Sequence, residues 1–325
     1  METVTGSLYN SISEAIVEGE LPKNYSLPKK ADEEGGITWA DGALDGVMIY
    51  HMGVPENDEK TLSLIADAVK AASEGDTKGA DELFLILGKK ARAISVIDAL
   101  QSYIMEHREE LSSINLYKYA AHLLVDSDDT ECVKTGFSLL ELMVTDDNAE
   151  LKKVVRELGL SDEFTLFALF LMMTWTNGND EIFGLARKVH GWGRIHAVEK
   201  LSPDTEEIKR WLLLEGVHNN VIPAYSALVC WYKSGADEAL DGELTKEEFN
   251  GIRDIINGLL DEEPITGLSG LDDCEDTIMR FLGAAEKMSE DDDDLETIRA
   301  IQEYFEKEET SSPEVVSLCK KILGE

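Results

Sequence analysis

Apolar residues recur at intervals of three or four along most of the chain, and this periodicity limits the fold more than any other feature. Such an interval places the apolar side chains on one face of an α-helix, which must then pack against another helix. Short apolar runs at 47–50 and 83–87 are compatible with strands, but the helix formers that flank them favour helix. The sequence therefore predicts an all-α fold. The clearest stripes are Leu62, Ile65, Val69 and Ala72; Ile97, Leu100 and Ile104; Phe249, Ile252, Ile256 and Leu259; and Ile278, Phe281, Ala285 and Met288.

Capping signals divide this pattern into short helices. N-termini are predicted where a capping residue precedes an apolar stripe: at Ser312 followed by Pro313, at the capping-box pair Thr245 and Glu248, and at the capping-box pair Asp204 and Glu207. The acidic run 289–298 predicts a further start, with Ser289 as the N-cap, because the helix dipole favours negative charge at this end.

The charge of the chain excludes several classes of partner. Its 325 residues are 43% hydrophobic, so the chain can bury a core despite a formal net charge of −36. Because 66 acidic residues face 30 basic ones, most of the surface repels phosphate groups and anionic lipid. We therefore expect no direct binding to nucleic acid or to a membrane. Residues 148–215 are an exception, since 11 acidic and 9 basic residues leave this strip nearly neutral.

The cysteines and the apolar runs point to a cytoplasmic protein. Cys132, Cys230, Cys274 and Cys319 are widely spaced without a CxxC pair, which indicates reduced thiols rather than a zinc or redox site. The N-terminus has neither the basic start nor the continuous apolar stretch of a signal peptide. The apolar run 165–175 is shorter than the roughly 20 residues that span a membrane.

Four apolar segments recur about thirty residues apart, an interval that accommodates two helices. The segments are 136–143, 167–173, 196–201 and 225–231. Gly159, Ser161 and Asp162 open one inner helix, and residues 193–201 open the next. On these residues the stretch resembles HEAT-like or armadillo-like repeats. The resemblance implies a helical-hairpin α-solenoid with degenerate repeats, in a class of proteins that mostly bind other proteins.

The repeats predict one continuous helical array over residues 1–325. An N-terminal helical segment at 1–112 contains a proline- and charge-rich connector at 21–36. The HEAT-like repeats occupy 113–232, and acidic helices follow at 233–325.

The sequence HGWGRIH at 190–196 is the first candidate binding site. Its two glycines permit a tight turn that brings an aromatic face, a fixed cation and two imidazoles together in the near-neutral strip, on Trp192, Arg194, His190 and His196. Tryptophan and arginine are frequent anchors at protein interfaces. The alternative is a structural joint, in which Trp192 fills the contact between repeats and the histidines bond buried carbonyl groups.

The segment 39–51 is the second candidate. Asp41 and Asp45 are four residues apart, so on a helix their carboxylates share one face, and Trp39 could form a wall beside them. Paired carboxylates can transfer protons or hold a divalent metal. Alternatively one aspartate caps the helix, the other is exposed, and Gly42 and Gly46 allow close helix packing.

A calcium-binding loop is the third and weakest candidate. In residues 237–249, Asp237, Asp241 and Glu248 have the spacing of EF-hand ligands, but Ala239 stands where a third ligand is needed. The capping box at Thr245 explains the same residues, so we expect no calcium binding.

The sequence contains no catalytic motif that would define a reaction. We expect a non-enzymatic interaction scaffold that binds a protein or peptide on its inner helical face and needs no cofactor. Two alternatives stay open: an enzyme or small-ligand binder with a pocket around Asp41, Asp45, His190 and His196, and an acidic protein that neutralises a basic partner through its C-terminal part.

Overall fold

The computed structural model of the protein describes residues 6–28, 39–263 and 265–325, so the second half of the connector predicted at 21–36 lies outside the described residues. The described part is all-helical and contains eighteen α-helices, one isolated β-bridge between Val17 and Glu20, and no strand. The all-α prediction is confirmed, and both ambiguous runs, 47–50 and 83–87, are helical. None of the described helices is long and apolar enough to cross a membrane.

The helices are short and follow one another closely. They are α1 (Leu8–Ala15), α2 (Ala43–Val47), α3 (Glu59–Glu74), α4 (Thr77–Lys90), α5 (Ala93–Glu106), α6 (Ser113–Asp126), α7 (Thr130–Leu140), α8 (Ala149–Gly159), α9 (Asp162–Met172), α10 (Gly178–Ala186), α11 (Trp192–Lys200), α12 (Glu206–Glu215), α13 (Ala224–Ser234), α14 (Ala236–Leu240), α15 (Lys246–Leu260), α16 (Cys274–Met288), α17 (Asp292–Phe305) and α18 (Pro313–Leu323). A π-helical turn, Met48–Met52, continues α2.

Two of the four predicted N-caps are in place, and two are displaced by one or two residues. The N-cap Ser312 precedes Pro313, and the capping box of Thr245 and Glu248 has both of its hydrogen bonds. Helix α12 is capped by Thr205 rather than Asp204, because the threonine hydroxyl accepts the hydrogen bond from the Ile208 N–H. Helix α17 is capped by Asp291 rather than Ser289, because Asp291 forms a capping box with Asp294.

The chain divides into two compact units, Met1–Ala197 and Val198–Glu325, with the division inside α11. In the first unit α3 packs on α4, α6 on α7 and α8 on α9, while α7 also packs on α5 and α9. Gly136 in α7 allows the close approach to α6, because a β-carbon there would lie 3.0 Å from the Ala120 carbonyl oxygen. The largest fully buried apolar side chains of this unit are Phe84, Phe137, Phe164 and Phe167.

The second unit is built around α15, which packs on α12, α13 and α17. The stripe predicted for α15, at Phe249, Ile252, Ile256 and Leu259, is buried. Phe249 stacks on Phe281 of α16 at 5.4 Å between ring centroids. The apolar face of α15 therefore forms the core of this unit.

Candidate functional site

Asp45 lies inside the first unit in a cluster of charged side chains. Its Oδ2 accepts a hydrogen bond from Lys134 Nζ at 2.6 Å, and its Oδ1 accepts two from Arg92, at 2.9 and 3.0 Å. Glu131 and Glu163 complete the cluster, and each forms ion pairs with both Arg92 and Lys134. Because these residues belong to α2, α7, α9 and the turn before α5, the cluster ties segment 39–52 to three other parts of the unit.

The pKa values in this cluster are set by two opposing effects, burial and ion pairing. Burial alone would lower the pKa of Lys134, which is 0% exposed, but Glu131 and Asp45 raise it above its usual value. Burial would raise the pKa of Asp45, but Lys134 and Arg92 lower it. For Glu131 burial is the stronger effect, so the pKa of its carboxyl is raised. Arg92 and Lys134 are both paired with carboxylates of the cluster. The cluster therefore acts as a structural connection between elements of the fold.

Asp41 has a different environment from Asp45. It precedes α2, which begins only at Ala43, and its Oδ2 accepts a hydrogen bond from the Leu27 N–H at 3.0 Å. Between the two aspartates, Gly42 adopts φ +73°, which favours glycine, and donates its N–H to Glu163 at 2.7 Å. Trp39, the predicted wall of a site, lies outside the helix and is exposed.

The segment 190–196 packs against the start of α9. It is not a tight turn throughout as predicted, because α11 already begins at Trp192. A β-carbon on either Gly191 or Gly193 would overlap the Asp162 carboxylate, so both glycines are needed for this approach. Asp162 accepts a hydrogen bond from the Gly193 N–H at 3.1 Å and another from the Gly191 N–H. Burial raises the pKa of Asp162 to about 6 against the opposing effect of these bonds, and the nearby Asp41 raises it further.

Three of the four candidate side chains, all on α11, are buried. Trp192 is 6% exposed, and a β-carbon on Gly46 would overlap its ring. Arg194 is 5% exposed and donates from Nε to the Val189 carbonyl at 2.8 Å. His196 is also buried, with its ring stacked on that of Tyr50 at 6.2 Å.

His190, the fourth candidate, is only half-buried. Its pKa is lowered, first by burial and then by the positive charges of Arg194 and Lys23. The segments 39–52 and 190–196 therefore meet, as the enzyme alternative requires, but the contact described above is one of close packing. The sequence signal for this packing is the pair Gly42 and Gly46. The predicted role of the cluster in binding stays a prediction.

The calcium-loop candidates lie in the second unit, with partners of their own. Asp237 and Asp241 pair with Arg280 at 2.6 and 3.1 Å. Glu248 accepts hydrogen bonds from the N–H and hydroxyl of Thr245. Across the described residues, no group of three or more His, Cys, Asp and Glu side chains is placed to hold a metal ion.

A groove that the sequence did not predict lies on the first unit, and we call it the α8–α10 groove. It has a volume of about 390 Å³. Helices α8 and α10, the end of α9 and the turn at 16–19 enclose it. Its lining consists of Ile16, Gly19, Lys153, Arg156, Glu157, Leu160, Met172, Glu181, Gly184, Leu185, Arg187 and Lys188.

The α8–α10 groove has an excess of positive charge in a strongly acidic chain. Both of its carboxylates are engaged: Glu181 with Arg156 at 2.6 and 2.7 Å, and Glu157 with the Tyr9 hydroxyl at 2.7 Å. Burial and then Glu157 raise the pKa of Tyr9 to about 12, so this hydroxyl stays a donor. Among the described residues Lys188 has no carboxylate oxygen within 4.0 Å, and its side chain is exposed.

Sequence signals for the groove exist in retrospect. Gly184 interrupts the apolar run 182–186, and a β-carbon there would meet no atom within 4 Å. Two adjacent cations, Arg187 and Lys188, follow directly. Neither signal indicates a groove without knowledge that α8 and the turn at 16–19 lie opposite.

Comparison of the chain with protein-family models, curated proteins and solved structures gives no significant match. The resemblance to HEAT-like repeats therefore stays a prediction, and the function is argued from the geometry of the described residues.

Proposed function

We propose that this chain is a non-enzymatic interaction protein that binds a protein or peptide through the α8–α10 groove. The supporting observation is the groove itself, which combines an apolar floor with exposed cations on its edges. Concave sites with apolar linings and a few polar groups are where proteins most often bind ligands. Ten of the twelve lining residues also belong to the near-neutral strip 148–215 that the sequence marks as different from the rest.

We also propose that the helices between 113 and 232 belong to a degenerate HEAT-like α-solenoid. The four recurring apolar segments fall in α7, α9, α11 and α13, with one helix between each pair. Within the first unit α7 packs directly on α9, as neighbouring repeats would. In such an array the groove between α8 and α10 belongs to successive repeats.

The enzyme alternative has less support from the geometry. The Asp45 carboxylate is 2% exposed and is paired with Arg92 and Lys134, so a substrate would reach it only if segment 39–52 moved. Burial, with smaller contributions from nearby glutamates, raises the pKa of Cys274 to about 11, which keeps this thiol protonated at neutral pH.

Peptide display with a groove-filling variant tests the proposal. Gly184→Trp fills the groove without a clash at the β-carbon, and Gly283→Trp in α16 is the matched control, because a β-carbon there also meets no atom within 4 Å. Peptides selected on the wild-type chain are expected to bind Gly283→Trp and to lose binding to Gly184→Trp. If the selected peptides bind all three chains equally, or none is selected, the groove is not a peptide site.

A further inference from the structure

We infer that the ligand of the α8–α10 groove is an acidic peptide segment that carries a bulky apolar side chain. This inference rests on the proposed function and names the chemistry of the partner. It follows from three properties of the groove: its apolar floor, the pairing of its charged side chains and its exposure to solvent on one side.

The floor of the groove favours a ligand with a bulky apolar side chain. Ile16, Leu160, Met172 and Leu185 line it, and the absent side chain of Gly184 leaves space between them. A leucine or aromatic side chain placed in this space removes apolar surface from water, at about 25 cal/mol per Å² buried. Met172 and Leu185 are already buried, so the apolar surface that a purely polar anion would leave in contact with water belongs to Ile16 and Leu160.

The charges at the edges of the groove favour a ligand that carries carboxylates. Arg156 is held by Glu181. Lys188 has no carboxylate oxygen within 4.0 Å among the described residues, and the contact of Lys153 to Glu157 is 3.8 Å long, so these two lysines have capacity for a ligand. Charged groups paired across an interface fix its register and favour partners of the opposite sign.

The net charge of −36 does not prevent an acidic ligand from binding here. At physiological ionic strength the screening length is about 8 Å, so charges much farther than this from the groove contribute little. The lining contains four cations and two carboxylates, and both carboxylates already accept hydrogen bonds within the chain. A basic peptide meets the reverse situation and is repelled at this site.

The open side of the groove favours a peptide over a small anion. Lys153, Arg156, Arg187 and Lys188 are all exposed, on α8 and on the turn after α10. Small-molecule sites usually bury most of the ligand surface. A peptide chain can instead lie along an open groove, with one side chain in the floor and carboxylates at both edges.

The test uses labelled peptides of about twelve residues, in which a central leucine pair is flanked by Glu, by Gln or by Lys. Fluorescence anisotropy at physiological salt is expected to give the Glu peptide at least about tenfold tighter binding than the Gln peptide, and the Lys peptide the weakest. Lys188→Glu is expected to weaken the Glu peptide by about tenfold. Lys118→Glu, which changes the net charge equally at an exposed site on α6, is expected to have little effect.

Equal affinities for the Glu and Gln peptides, or equal effects of the two lysine substitutions, would overturn the inference. Displacement of the Glu peptide by inorganic pyrophosphate or a short RNA at matched charge would also overturn it, in favour of a general anion site. Library peptides that depend on Gly184 but contain no acidic residues would refute the acidic ligand and leave the proposed function intact. A library without any Gly184-dependent peptide would refute both.

Discussion

The carboxylate of Asp162 makes the stability of the first unit depend on pH in an unusual direction. Its pKa is raised from 3.8 to about 6, chiefly by burial, although it accepts hydrogen bonds from the N–H groups of Gly191 and Gly193. Asp162→Asn removes the charge and keeps one acceptor oxygen. The substitution therefore isolates the cost of ionising this group in the folded state.

The size of the effect follows from linkage. A folded state with the higher carboxyl pKa binds more protons between about pH 4 and pH 6, so stability is full below this window and is lost as pH rises through it. A shift of about two units corresponds to about 3 kcal/mol at 1.36 kcal/mol per unit. On acidification from neutral pH to pH 4, the wild type should gain about 2.5 kcal/mol relative to Asp162→Asn, because the unfolded carboxyl is itself partly protonated at pH 4. Any hydrogen bond that the asparagine fails to make lowers the stability of the variant by a similar amount at every pH and does not affect this difference.

Urea unfolding followed by tryptophan fluorescence across this pH range measures the difference directly. Asp180→Asn is the matched control, because Asp180 also lies in the first turn of a helix of this unit but is exposed. Its stability curve should run parallel to that of the wild type. If the Asp162→Asn curve is also parallel, within about 0.5 kcal/mol, the carboxylate is not destabilised by burial and the account of this turn is wrong.

Three further predictions concern the other features of the structure. Lys134→Met should destabilise the first unit by about 3–5 kcal/mol in urea unfolding, because it leaves three buried carboxylates with one cation; a loss below about 1 kcal/mol would mean that the cluster rearranges freely. Gly184→Ala should raise the melting temperature and increase the free energy of unfolding by up to about 1 kcal/mol, because alanine favours helix and its β-carbon meets no atom. The same change at Gly136 should lower the melting temperature, and an equal response at both glycines would contradict the packing described. Calorimetric titration with calcium should show no micromolar binding at 237–249, and a micromolar constant that Glu248→Gln abolishes would refute the capping-box interpretation.

The helices were predictable because their signals are local. A stripe such as that of α15 is set by the spacing of residues within one segment, and the stripe predicted there is the buried face. The errors at Asp204 and Ser289 are displacements of one or two residues, and they arose because several capping residues stand next to each other. Which of them caps depends on the backbone angles at each position, and composition does not fix those.

The candidate site was less predictable because its geometry joins distant segments. The residues around Asp45 lie at 92, 131, 134 and 163, and nothing in the sequence near any of them indicates the others. For HGWGRIH the two glycines were interpreted as a tight turn, whereas in the fold they allow close approach to Asp162. An arginine is usually exposed, and the carbonyl that receives Arg194 became visible only in the fold. Sequence patterns thus marked 39–51 and 190–196 as separate candidates. Only the pocket alternative brought them together, and the sequence could not distinguish packing from a pocket.

The charge distribution connects the local sequence signal to the proposed function. A strip with nearly equal numbers of acids and bases becomes locally positive where the fold gathers its bases, and the lining of the α8–α10 groove has four cations and two carboxylates. There Tyr9 and Arg156 donate hydrogen bonds to Glu157 and Glu181, while Lys188 has no carboxylate oxygen within 4.0 Å in the described part of the chain. Removing the Tyr9 donor should therefore make Glu157 a stronger partner for Lys153 and weaken an acidic ligand, although Tyr9 is not among the lining residues.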